Sequence, residues 1–262
     1  MSDSAAPVLL TRQGSVAVVT LNRAERMNAL GRELVAALRA AFDELAQDAS
    51  ISVIVLTGTG TKAFCAGADL REREGMTQDE ARAFIRSLND TFNAVEDTPQ
   101  PVIAAINGFA LGGGLELALS CDVRLVAASA QVGLTETRLG IIPGAGGTQR
   151  LPRAIGTARA RELVFAGRRL VASDAVSWGI ASRVVADEEL QAAAIALAQE
   201  ISLGAPLALR AAKLAMNAAW RRERDAALND EQSAYAPLLH TQDRLEALAA
   251  FREKRAPKFE GR

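Results

Sequence analysis

Up to about Asp187 the sequence alternates short β-branched runs with amphipathic helical patterns, and beyond it the strand signal stops. That alternation constrains the fold more than any single motif, because strands separated by helices make a predominantly parallel α/β sheet. Ser15–Leu21 (SVAVVTL) and Ser52–Thr57 (SVIVLT) read as strands, with Leu34, Val35, Leu38, Phe42 and Leu45 marking one helix face between them. Thr77 and Glu80 have capping-box spacing. They open a helix that carries Phe84, Leu88, Phe92 and Val95 and stops before Pro99 and Pro101. Val102–Ile106, Val123–Ala127 and Gln131–Leu134 read as further strands. From Glu188 to Phe251 the chain is rich in Ala, Leu, Arg and Glu, broken by Gly204, Pro206 and Pro237, and reads as three or four helices. The economical division is an α/β core over 1–187 and a helical region over 188–262.

Composition removes several chemistries. His240 is the sole imidazole, so a Ser-His-Asp or Cys-His site would have to route through it. A zinc site would have to combine His240 with Cys65 and Cys121 at spacings that match no common metal motif. Thirty Lys and Arg against 31 Asp and Glu give a net charge of −1, which argues against wrapping a polyanion. Two cysteines suit a reducing compartment. Met1–Pro7 is short and polar, with Asp3 where a signal peptide carries positive charge, and no apolar run reaches membrane-spanning length. The expectation is a soluble cytoplasmic protein; an organelle protein stripped of its transit peptide reads the same.

Three segments bring small residues and acids together. In Asn107–Ser120 (NGFALGGGLELALS), Gly112–Gly114 lie between a strand and a helix pattern. They suit equally a tight turn and a helix start whose amides face an anion. Neither the GxGxxG spacing nor a P-loop Gly-Lys-Ser/Thr is present there. Lys62–Leu70 (KAFCAGADL) offers a patch of Ala66, Gly67 and Ala68, beside which Cys65 reads as a buried small hydrophobe. In Gly133–Gln149 (GLTETRLGIIPGAGGTQ), Glu136 precedes a glycine-rich turn. Taken singly, Glu136 reads as a surface carboxylate and Glu116 as a first-turn helix residue favoured by the macrodipole.

Together these segments resemble the enoyl-CoA hydratase/isomerase (crotonase) family. The similarity rests on LNRAERMNAL (Leu21–Leu30), KAFCAGADL, PVIAAINGFALGGGLELALSCD (Pro101–Asp122), ETRLGIIPGAGGTQRLPRAIG (Glu136–Gly156) and DRLEALAAFREKRAPKF (Asp243–Phe259), in order through nearly the whole chain. The resemblance implies an α/β spiral core of repeated ββα units with a C-terminal helical trimerisation region, assembled as a homotrimer or dimer of trimers. It implies an oxyanion hole made by the Ala68 and Gly113 amides, with Ala66, Gly67, Ala68, Asp69 and Leu70 along the substrate entrance. Glu116 and Glu136 match the two carboxylates of the hydratases, and the substrate would be an acyl-CoA thioester with no further cofactor.

For the CoA moiety, the resemblance points to Arg26, and to Tyr235 and Lys254 near the adenine nucleotide of a neighbouring subunit. The tail Arg252–Arg262, with five basic and two acidic residues, would suit a phosphate-bearing ligand. Arg71–Phe84, a charged segment expected to be mobile, would border the acyl pocket. GLELALSCD, TQRLPRAIG and FREKRAPKF look most like the methylglutaconyl-CoA hydratase-like members. Some of those bind RNA through a Lys-rich helix. The corresponding stretch here, Gly31–Asp48, sets Arg32 and Arg39 against Glu33, Asp43, Glu44 and Asp48, which excludes a nucleic-acid partner. Δ3-Δ2-enoyl-CoA isomerisation, which needs one essential carboxylate, is the enzymatic rival, and an inactive CoA-binding scaffold the non-enzymatic one.

Overall fold

A computed structural model describes residues 6–260. The chain opens with β1 (Val8–Gln13), β2 (Val16–Leu21) and α1 (Arg32–Gln47), then repeats strand–strand–helix. The second unit is β3 (Val53–Gly58), β4 (Ala63–Cys65), α2 (Leu70–Glu74) and α3 (Gln78–Asp97). The third is β5 (Val102–Ile106), β6 (Phe109–Leu111) and α4 (Gly113–Leu119). The fourth is β7 (Val123–Ala127), β8 (Gln131–Gly133), α5 (Gly147–Ile155) and α6 (Thr157–Ala166). β9 (Leu170–Val171), α7 (Ala172–Trp178), β10 (Arg183–Val185) and α8 (Leu190–Ser202) complete the core, followed by α9 (Pro206–Tyr235) and α10 (Gln242–Glu253).

In the repeats from β3 to β8 the first strand enters a six-stranded sheet, ordered β1-β2-β3-β5-β7-β10, and the second a four-stranded sheet, β4-β6-β8-β9. Among the described residues only the edge pairs β1–β2 and β8–β9 are antiparallel. Parallel strands buried on both faces read as continuous apolar runs, and β3 (VIVLTG) and β5 (VIAAI) are buried at every position. Thr77 caps α3 in a full capping box with Glu80, as the spacing predicts. Beyond the predicted strands lie β1, β4, β6, β9 and β10; the last four have two or three residues each, too short for period-two alternation to register.

The first helix after 187, α8, packs on the sheet. Leu190, Ala194 and Ala198 of α8 belong to the main core, and the helix lies on β2, β3, β5 and β7. Ala-rich spacing lets a helix sit close to a sheet, so α8 is a core element, and the chain leaves the core at Gly204 and Pro206.

The C-terminal helices then return over the same chain's core. α9 packs against α5, and α10 against the 3-10 turn Glu136–Leu139. The α9 residues facing inward are Lys213, Trp220, Arg224, Leu228, Glu231 and Tyr235, a helical stripe that mixes charge with apolar bulk. Arg224 and Arg150 meet over Glu96, at 3.2 and 2.9 Å, and the Trp220 indole donates to the same carboxylate at 2.7 Å.

Candidate active site

The site forms where the turns after β4 and β6 meet. Gly114 presses against the β4 backbone: a Cβ there would lie 2.0 Å from the Cys65 carbonyl oxygen. This brings the start of α4 beside Ala66–Ala68. The Leu30–Ala68 bridge uses the Gly67 carbonyl, which accepts from Leu30 N–H at 2.8 Å, and the Asp69 N–H, which donates to the Leu30 carbonyl at 2.9 Å. Successive peptide groups in extended chain point to opposite sides, so the intervening Ala68 N–H faces away from the bridge. The Gly113 N–H opens α4 and is one of the amides a helix leaves unpaired. Neither N–H has an acceptor among the described residues. Both residues line one compact pocket of about 100 Å3.

Glu116 and Glu136 line that same pocket, and both are buried. Glu116 Oε1 accepts from the Ala145 and Gly147 amides at 2.9 and 2.8 Å. Glu136 reaches the pocket because Gly112, at φ +53°, has no side chain: a Cβ there would lie 3.1 Å from Glu136 Oε1. Glu136 Oε2 is buried without a hydrogen-bond partner among the described residues. Burial pushes the Glu136 carboxyl up to about 8, with Glu231 adding to the rise. Burial, then Glu136, then Glu231 raise Glu116, against which the Ala145 and Gly147 amides pull. Those two amides favour a carboxylate at Glu116, but burial and the neighbouring acids outweigh them, so both Glu116 and Glu136 are raised.

Glu231 of α9 is a third buried carboxylate that sequence reading missed. It accepts from the Gly146 and Thr148 amides at 2.7 and 3.1 Å and from the Thr148 hydroxyl. The signal for it was available: Trp220, Arg224, Leu228, Glu231 and Tyr235 recur at helical spacing. Arg73 was missed as well. It is buried in the segment expected to be mobile, and it donates to the Tyr235 hydroxyl at 2.8 Å.

A wider cleft of about 800 Å3 shares Ala66, Ala68, Leu70, Thr135 and Leu139 with the acid pocket and leads outward from it. Its lining holds two acids, Glu25 and Asp69, and five arginines, Arg26, Arg71, Arg138, Arg168 and Arg169. Buried Asn28 fixes the Arg26 loop by accepting from Arg23 N–H at 2.9 Å and donating to the Ala63 carbonyl at 2.8 Å.

Tyr235 lies in its own chain's acid pocket, 2% exposed. It follows Glu231 by one helical turn, so the docking of Glu231 carries its ring over Gly144. Lys254 caps α10 on the exposed surface and does not line the cleft. Much of the tail's positive charge is matched locally, Arg252 with Glu74 at 2.8 Å and Arg255 with Glu246 at 2.5 Å. Arg262 and the N-terminal Met1–Ala5 lie outside the described residues.

The remaining candidates sit apart from the chemistry. Exposed His240 meets Arg82 at 3.2 Å and does not line the acid pocket. Cys65 is fully buried and its thiol is pushed up to about 12 by burial, which suits a packing role. Among the described residues no three His, Cys, Asp or Glu are grouped to hold a metal ion. Nor is any single helix there long and apolar enough to cross a membrane.

Residues 11–262 match the family model described as enoyl-CoA hydratase/isomerase. The chain belongs to the enoyl-CoA hydratase/isomerase family. It is 48% identical over 248 residues to mouse enoyl-CoA hydratase domain-containing protein 2, mitochondrial, covering 93% of this chain and 84% of that one. Mouse methylglutaconyl-CoA hydratase, mitochondrial, is 45% identical over 250 residues, covering 94% and 80%. The crystal structure of an enoyl-CoA hydratase from Bacillus anthracis superposes with a TM-score of 0.81 at 46% identity, covering 98% of this chain and all of that one. Membership accounts for the spiral of paired strands.

Proposed function

We propose that this enoyl-CoA hydratase adds water across the C2–C3 double bond of an enoyl-CoA thioester by way of an enolate. The observation that carries the reading is the convergence of two unpaired amides, Ala68 and Gly113, with two buried carboxylates on one pocket. The thioester oxygen accepts both amides, so charge developing on it meets dipoles already in place. One such donor is worth about 2.7–4 kcal/mol. Glu116, its Oε1 fixed by two amides, takes a proton from water through its other oxygen as the water oxygen bonds to C3. Glu136 gives its proton to C2, and the enolate electron pair forms the new C–H bond. The two acids then exchange the proton balance between them, so they act as a unit.

CoA reaches the site through the arginine-lined cleft, where Arg26, Arg71, Arg138, Arg168 and Arg169 suit its phosphates. Beyond the acyl-CoA itself the chemistry calls for no cofactor. Hydration is favoured over Δ3-Δ2 isomerisation because both acids face the reacting pocket. Exposed apolar side chains on the later helices, Leu203, Leu207 and Met216, support assembly as a homotrimer or dimer of trimers. Free, buried Cys65 and Cys121 suit a reducing, cytoplasmic setting.

Loss of enoyl absorbance from crotonyl-CoA and branched enoyl-CoAs tests the reading, with wild type compared to Glu116→Ala. Turnover by wild type and its loss in the variant are expected. No turnover of any enoyl thioester by wild type overturns it.

A further inference from the structure

The amides that hold Glu116 Oε1 belong to Ala145 and Gly147, in the turn that leads into α5. One peptide unit, Ala145–Gly146, lies between them, so fixing that unit fixes both. It is gripped at its two ends by side chains. Its N–H donates to Glu231 Oε1 at 2.7 Å, and its carbonyl accepts from the Arg150 guanidinium at 3.1 Å. The carbonyl before it, that of Gly144, accepts from Asn89 of α3 at 2.7 Å and from Gln232 of α9 at 2.6 Å.

Arg150 is 4% exposed and folds back over the start of its own helix. Gly146 is what lets the guanidinium in. It holds φ +96°, and a Cβ on it would lie 2.0 Å from Arg150 Nη1. While Nη1 bonds the Ala145 carbonyl, Nη2 donates to Asn93 Oδ1 at 2.7 Å and to Glu96 Oε2 at 2.9 Å. Two residues of α3 thus aim the fork at the turn from behind. Arg150 does not line the acid pocket, so whatever it does there it does through the backbone.

We propose that Arg150 is a positioning residue for hydration: by pinning the Ala145 carbonyl it keeps two amides on Glu116 Oε1 and the other Glu116 oxygen turned to the water. This rests on the hydratase reading above and extends its machinery one layer outward. The planar fork is essential to the role, because separate nitrogens serve Glu96 and the turn, and a lysine has only one. Arg224 supplies the contrast. It too is buried against Glu96, at 3.2 Å, but its other partner is Asp97, and it donates to no carbonyl of the turn among the described residues. An arginine that only anchored helices would behave as Arg224 does.

The test measures kcat, KM and the pH profile of hydration in wild type, Arg150→Met, Arg150→Lys and Arg224→Lys, using crotonyl-CoA and the branched enoyl-CoAs. kcat should fall about 100-fold in Arg150→Met, the scale on which a displaced catalytic group loses rate, and about tenfold in Arg150→Lys. KM should stay within about twofold, because the lost interaction serves the transition state and not ground-state binding. The two amides favour the Glu116 carboxylate, so loosening them raises Glu116 further, and the acidic limb of the kcat profile should move to higher pH. Glu116 also faces Glu136, Glu231, Arg73 and Tyr235, all of which these substitutions leave in place. Arg150→Lys keeps the charge, so its shift reports the lost bond and not a lost field. Arg224→Lys should leave kcat and the limb near wild type.

If Arg150→Met does not fold, the comparison of Arg150→Lys with Arg224→Lys decides the matter. Equal losses of kcat in those two variants overturn this inference and leave hydration standing. So does an acidic limb that stays in place in Arg150→Lys. No turnover of any enoyl-CoA by wild type overturns the hydratase reading, and this inference with it.

Discussion

Glu116 and Glu231 divide four consecutive amides between them. Glu116 takes Ala145 and Gly147, Glu231 takes Gly146 and Thr148, and the N-terminus of α5 is held from both sides. One carboxylate belongs to the core and the other to a C-terminal helix, so α9 is tied to Glu116 through a single turn of backbone. Two carboxyl groups on one helix start satisfy its free N–H groups.

Glu231→Gln keeps the side-chain volume and removes the charge. Charge-assisted hydrogen bonds are worth about 1.5–3 kcal/mol, so the turn holding Glu116 should loosen and kcat should fall about tenfold or more, with a smaller change in KM. Because Glu231 also raises Glu116 and Glu136, the basic limb of the kcat–pH profile should move to lower pH. Steady-state kinetics across pH check both; an unchanged profile would reduce Glu231 to a helix cap.

Glu136 links activity and stability to pH in one direction. Its carboxyl is raised by burial from 4.5 to about 8, so the folded chain keeps a proton that the unfolded chain has released. That contribution is fully present below the unfolded value and is lost as pH rises through the folded one. kcat should therefore decline above about pH 8, as the proton donor empties. Thermal unfolding should show Tm falling between about pH 5 and 8 more steeply in wild type than in Glu136→Gln, whose carboxamide stays neutral. Glu136→Gln also removes the charge that raises Glu116, so the difference reports Glu136 together with its coupling to Glu116.

How far the sequence carried this picture varied with length scale. Strands such as Val53–Gly58 and the Thr77–Glu80 capping box were legible because their signals are local, whereas β1, with its polar end Arg12–Gln13, was not. The fate of α8 was not, since an Ala-rich helix looks the same on a sheet as on a surface. At the site, the segments carrying Ala68, Gly113, Glu116 and Glu136 stood out as glycine-rich turns with nearby acids. Glu231 and Arg73 did not, because a charge on a helix ordinarily means solvent, and only α9 crossing back over α5 and α2 buries them.

Gly112 is the position where the backbone makes room for an acid. At φ +53° and ψ −125° it holds a conformation that costs an L-residue about 1–3 kcal/mol. A methyl group there also meets Glu136 Oε1 at 3.1 Å. Gly112→Ala should lower Tm by several degrees and, by displacing Glu136, reduce kcat by at least tenfold. Calorimetry alongside kinetics separates the two: normal kcat in the surviving folded fraction would mean that Glu136 does not need its present place.

The arginines of the outer cleft make a different kind of prediction, about affinity. Arg26 and Arg71 are exposed and line the cleft, and no side-chain acid partner pairs with them among the described residues. Arg168, by contrast, is already bound to Glu162 at 2.9 Å. Lys254 lies outside the cleft lining. Reversing Arg26 and Arg71 together to Glu should raise KM for an acyl-CoA about tenfold while leaving kcat near wild type, because these charges act on phosphates and not on the double bond. Contacts of this kind are screened by salt, so wild-type KM should climb with ionic strength and the double variant's should respond less. Lys254→Ala should leave KM and its salt dependence unchanged. If Lys254→Ala instead raised KM as strongly as the double reversal, the tail would hold the nucleotide, and the cleft assigned to CoA would be the wrong one.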